Sequence, residues 1–347
     1  MESKRNINCD LMRVISMIFV IAYHTDSSFI KIPVLGIILS TILFTSNGLF
    51  YLLSGRFNLQ TKFECAEDYK NYFFKKNITI FFPFILMTCL LSLWDILDSG
   101  TWNGLELYIK RTYVALMHTN STNHLWFMYG LIGMLLGAPF LAKMLQNMSN
   151  WELNLLFGIG IVWNIVSIYL CTDFNINFSY YNWMLSGFSI YFFAGYYCTR
   201  IVNDLNKKRV YIFGTAGFII TVLGRYLIPD RYLYSTDSAV AFIVFTMAVY
   251  TFLEKEVVIN NEYLKKGICF LSKYSFLVYM IHWNVLHKIT ALIITGESTF
   301  FKWISTILIT LIISLLLSII LNTFIIYPVQ EMMKKILKHT TLQRSPK

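Results

Sequence analysis

Charge is scarce in this chain. Asp, Glu, Lys and Arg make up 14% of its 347 residues, against about 25% in a soluble domain. With 56% hydrophobic residues, that shortage excludes an ordinary soluble enzyme, a disordered chain and a secreted disulfide module. Paired cysteines are also missing. Cys9, Cys65, Cys89, Cys171, Cys198 and Cys269 stand singly, so no CxxC motif indicates a zinc site or a redox centre. All but Cys171 fall in spans or on the side assigned below to the cytosol, and no disulfide is expected. A GxSxG elbow and a glycine-rich phosphate loop, which would mark a nucleophile or a nucleotide site, are absent too.

Long apolar runs fill the space. A bilayer-crossing helix needs about 20 mostly apolar residues, and such stretches recur at 8–29, 34–53, 77–97, 125–145, 153–171, 183–202, 210–228, 238–253, 267–287 and 303–327. The reading is an all-α, polytopic membrane protein of about ten transmembrane helices, a single transmembrane domain over 1–347 with no separate soluble domain. The first run is too long for a cleaved signal peptide, carries Arg13 and lacks a small-x-small exit.

The net charge of +10 reports topology rather than nucleic acid, because its cations sit in short loops between apolar runs. With a cytosolic N-terminus, 21 of the 29 Lys and Arg fall on inner segments and six on outer ones, leaving Arg13 and Arg225 within spans. The positive-inside rule therefore places both termini in the cytosol, which an even number of spans satisfies. Two connections are long: an inner segment, 54–76, and an outer one, 98–124, whose stretch Leu105–Met117 reads as interfacial with Trp102 and Tyr108 as anchors.

Ionisable groups at membrane depth are costly and mark function by default. Asp10, Arg13, Met17, Val20 and His24 follow helical spacing and share one face. Arg13 and His24, eleven residues apart, are separated by roughly 16 Å along the axis. Ser275, Tyr279 and His282 share another face, and His124 opens the fourth span in His124-Leu125-Trp126-Phe127. Singly, these groups also fit a snorkelling Arg paired with Asp10, packing histidines and an aromatic belt. The small residues of Ser54-Gly55-Arg56 suit close helix approach. His24, His124 and His282 match no metal-ligand spacing, and no metal is expected.

Together these segments resemble the acyltransferase-3 family of integral-membrane O-acyltransferases. Asp10-x-x-Arg13 followed by ten residues and His24 looks like the family's Asp-x-x-Arg-x10-His signature. Phe50 to Gly55, His124 to Phe127, Phe192 to Tyr196, Ser275 to His282 and Tyr327-Pro328 resemble its further motifs, in order, across residues 9 to 328. One departure stands out: where the family often has Arg-x-x-Arg ahead of a Pro, this chain has Lys76 and Thr79 before Pro83, and Thr79 cannot clamp a phosphate as Arg would. Lys75, Arg56 or Lys70 would have to compensate.

The resemblance implies a multi-pass protein of a bacterial cell membrane. It would move an acyl group, usually acetyl from cytosolic acetyl-CoA, onto a hydroxyl of a cell-surface polysaccharide or other glycan. The donor phosphates would stay near Lys75 and Lys76, with Arg56 assisting. The thioester arm would pass Arg13, oriented by Asp10, and His24 would act as general base. His282 and Ser275 are further candidate catalytic residues, and His124 a weaker one. The competing expectation is a transporter of a glycan or small polar substrate, since intramembrane Arg and His also suit a translocation path.

Overall fold

Asn6 starts the first helix by accepting hydrogen bonds from the amides of Asn8 and Cys9, satisfying two of the unpaired N–H groups of a helix N-terminus. This computed structural model describes residues 5–118, 124–170, 184–229 and 239–342, with side chains up to 335. Cys171, noted in the sequence, lies outside them.

The described residues form helices joined by short connections. Helix α1 runs Ile7–His24, α2 Pro33–Leu59, α3 Ala66–Lys76, α4 Phe82–Asp98, α5 Leu105–Met117, α6 Trp126–Asn147, α7 Asn150–Ile168, α8 Ser189–Ile201 and α9 Lys207–Leu227. Then follow α10 Val240–Lys255, α11 Glu262–Asn284, the short α12 Ala291–Ile293, α13 Phe300–Leu321 and α14 Tyr327–Leu342. Three π-helical turns, Asn77–Phe81, Val285–Thr290 and Asn322–Ile326, join successive helices without a break. Two of them end two residues before Pro83 and Pro328. Proline has no amide hydrogen to donate back along the helix, and a wider turn takes up the lost register.

Eight of these segments are long and apolar enough to cross a membrane: α1, α2, α3 to α4, α6, α7, α9, α11 to α12, and α13 to α14. Their outward faces stay greasy, as with Ile312, Leu316 and Ile320 along α13, each about half exposed. The other two apolar runs form α8, of 13 residues, and α10, of 16. Both are short, and α8 is buried continuously from Ile190 to Tyr196.

Segment 54–76, expected as a loop, is largely helical. Helix α2 continues through Gly55 to Leu59, and α3 begins at Ala66, where the Asp68 carboxylate accepts from the amides of Glu64 and Cys65. Helix α2 is the hub, packing against α1, α6, α8, α9 and α10. Its approach to α8 is backbone on backbone: a Cβ at Gly55 would lie 1.6 Å from the Phe192 carbonyl oxygen, and one at Gly195 would lie 1.9 Å from that of Leu52. Helix α1 lies between α2 and α11, and this packing gathers the polar groups of three helices.

Candidate functional site

A cavity of about 660 Å³ opens between α1, α2, α3, α6 and α11. The periodicity of α1 turns Arg13 into it, and the long α2 contributes Phe50, Ser54, Phe57 and Asn58 down one wall. The exposed Lys62 and Lys75, with the half-buried Lys76 and Asp68, mark its mouth, while the buried Phe127, Ser275 and Tyr279 line its inner part. One end is thus cationic and the other aromatic. The mainly basic mouth matches what a polyanionic ligand requires, and the aromatic inner part matches an extended apolar or weakly polar arm.

Arg13 is held at this cavity from two sides. Its Nη1 donates to Asp10 at 2.7 Å, and its guanidinium lies 5.0 Å above the Phe57 ring. Asp10, itself buried, also accepts from Arg5 and from the Ser272 hydroxyl at 2.7 Å, which ties α1 to α11. The Asp10 carboxylate in turn holds the Arg5 guanidinium above its ordinary pKa through their hydrogen bond. Ser272 was not singled out in the sequence, although it stands one helical turn before Ser275 on the same face.

Arg56 is placed elsewhere. It pairs with Glu254 and donates to the Tyr250 hydroxyl at 3.0 Å, and it is not among the residues lining the large cavity. Thr79, on the first π turn, donates to the Lys75 carbonyl at 2.8 Å. Asn58, Lys62 and Asn71, which sequence reasoning missed, do line the cavity. All three belong to the stretch that had looked like a plain inner loop and its flank.

Three turns beyond Arg13, His24 faces a second, smaller cavity of about 80 Å³, lined with Val20, Tyr23, Phe44, Ser46, Asn47, His124, Trp126 and Tyr279. His282 closes in behind it. The His24 ring stacks on that of His282 at 5.7 Å and meets the edge of Trp283 at 4.9 Å, and the His124 ring lies 5.2 Å from that of His282. Three histidines far apart in the sequence therefore meet in one aromatic cage.

Backbone carbonyls set their tautomers, because a carbonyl only accepts. His282 Nδ1 lies 2.6 Å from the Tyr279 oxygen and His124 Nε2 lies 2.7 Å from that of Met280, so each nitrogen carries the proton. The opposite nitrogens, His282 Nε2 and His124 Nδ1, are then buried acceptors with no partner among the described residues. Of the three rings, His24 is the most open, being only half-buried. Among the described residues no group of three His, Cys, Asp or Glu side chains has the geometry of a metal site.

An imidazole at the end of a path that begins with cations can accept a proton from a hydroxyl while a long anionic co-substrate is held from the other side. Ser275 lines the large cavity, although its hydroxyl donates to the Ser272 carbonyl at 2.9 Å. No curated protein and no solved structure matches this chain. The model of the acyltransferase-3 family, described as an acyltransferase domain, matches residues 6–323 of the 347, and the chain belongs to that family of membrane acyltransferases.

Proposed function

We propose that this protein transfers an acetyl group from acetyl-CoA, bound on the cytosolic side, to a hydroxyl of a cell-surface glycan on the outer side of a bacterial plasma membrane. The observation that carries this reading is the placing of two cavities along α1, with Arg13 in the basic one and His24 in the small one. Their separation of roughly 16 Å along the helix suits a donor whose phosphates and thioester lie far apart.

In this reading Lys62, Lys75 and Lys76 neutralise the phosphates at the mouth, and Arg13, steadied by Asp10, passes the pantetheine arm inward. His24 takes the proton of the acceptor hydroxyl as its oxygen attacks the thioester carbonyl. The C–O bond forms, the C–S bond breaks, and the thiolate leaves toward the cytosol. His282 and His124 frame the His24 ring, and their buried acceptor nitrogens supply places for a passing proton. Arg56 acts on α2–α10 packing rather than on the donor. Helices α8 and α10 cross the membrane inside the bundle, where protein rather than lipid surrounds them, which brings the count to ten with both termini cytosolic.

Wild-type and His24→Ala protein in vesicles, supplied with acetyl-labelled acetyl-CoA and outer-surface glycan, test the reading. Loss of label from CoA with wild type only is the expected result. Turnover unchanged in the variant removes His24 as the base, and turnover by neither transfers the assignment to transport.

A further inference from the structure

Among the described residues, the large cavity and the histidine pocket share a single lining residue, Tyr279. Its ring lies 5.4 Å from that of Phe127 and 6.2 Å from that of Phe50 on the large-cavity side. On the pocket side it lies 6.1 Å from the His124 ring and 5.8 Å from that of His282. The side chain is buried, and its hydroxyl donates to the main-chain oxygen of His124. A ring so placed is a wall between two spaces, held on its far side by one neutral hydrogen bond, a tie weak enough to break and remake during turnover.

We propose that Tyr279 is the movable barrier between the two cavities. Its ring swings aside to admit the acyl end of the donor to His24, and otherwise keeps the thioester from water in the outer pocket. The inference rests on the acyl-transfer reading above and adds a residue to it. With Tyr279 in place, a thioester waiting in the large cavity is shielded. With the ring gone, water from the pocket adds its oxygen to the acyl carbon, the C–S bond breaks, and the thiolate takes the water's proton, giving free acid and CoA. The hydroxyl tie orders the variants: Tyr279→Phe keeps the ring but not the bond, and Tyr279→Ala removes both.

The barrier can be tested without catalysis. Ser46 is buried in the histidine pocket, and Ser46→Cys is close to isosteric. Inside-out vesicles present the basic cavity to an added membrane-impermeant methanethiosulfonate, and modification of Cys at position 46 is read by peptide mass spectrometry. The single variant is expected to be modified slowly, at a rate that sets the baseline, and Ser46→Cys with Tyr279→Ala to be modified nearly completely. In combination with Tyr279→Phe, modification should run about fivefold faster than in the single variant, the factor that one lost hydrogen bond of ordinary strength gives. Equal rates in the single and Phe-containing variants overturn the barrier even where the Ala variant fails to fold.

A second readout uses labelled acetyl-CoA with no acceptor added. Acetate release should rise in Tyr279→Phe and further in Tyr279→Ala. Release unchanged in both variants overturns the shielding role. Absence of any turnover in wild type with glycan supplied overturns the acyl-transfer reading instead, and leaves the labelling result to decide the barrier.

Discussion

The Ser272 hydroxyl donates to Asp10 at 2.7 Å, so a carboxylate on the first helix is held by a side chain 262 positions later. Asp10 also pairs with Arg13, and the contact therefore fixes both the packing of α1 on α11 and the cation that lines the large cavity. Asp10→Ala should lower stability by about 2 kcal/mol, the cost of losing hydrogen bonds to a charged group, and should raise the donor KM as Arg13 loses its support. Ser272→Ala should cost about 1 kcal/mol with a smaller change in KM. Thermal unfolding in detergent and donor kinetics check both.

Lys75 and Lys76 sit at the cavity mouth, far from the histidines. Substituting both by Ala should raise the KM for acetyl-CoA about tenfold with kcat nearly unchanged, the pattern of lost uniform binding. It should also weaken the dependence of KM on salt. A fall in kcat with KM unchanged would place the donor elsewhere.

Arg56 and Glu254 should behave as a pair. Either one changed to Gln leaves its partly buried partner without its counter-charge, at about 2 kcal/mol, whereas the double variant should lose less than the sum of the two. None of the three should alter donor KM in protein that remains folded. Unfolding scans on all three variants and the wild type give the coupling directly.

Two helical glycines in different settings, Gly195 of α8 and Gly133 of α6, separate packing from permissiveness. Gly195→Ala places a methyl 1.9 Å from the Leu52 carbonyl oxygen, forces α8 off α2, and should cost about 3 kcal/mol or more. Gly133→Ala, in α6 with no atom of the described residues within 4 Å of the new methyl, should be neutral or stabilise by about 1 kcal/mol. Equal behaviour of the two in a thermal scan would contradict the α2–α8 contact.

His282→Phe preserves the aromatic cage while removing a buried acceptor that has no partner among the described residues. The variant should unfold within about 1 kcal/mol of wild type, yet turn over acetyl-CoA more slowly. Unchanged turnover would confine His282 to packing.

Much of this could be read along the chain. Low charge and apolar runs of spanning length determined the helical membrane class, because a backbone in lipid must satisfy its hydrogen bonds internally. Helical periodicity put Asp10, Arg13 and His24 on one stripe and Tyr279 with His282 on another, since i, i+3 and i+4 spacing fixes a face whatever the surroundings. Tertiary structure decided what those stripes meet. Arg56 looks in sequence like any other inner cation, and only the arrival of α10 gives it to Glu254 and Tyr250. Gly55 and Gly195 read as small residues near helix ends, and only the α2–α8 crossing makes a methyl impossible there. Likewise, no local pattern brings His124 against His282 or makes Tyr279 the wall between two cavities. Spacing within a helix is a property of the chain, whereas contacts between helices depend on how whole faces pack, and a single sequence carries the first far more openly than the second.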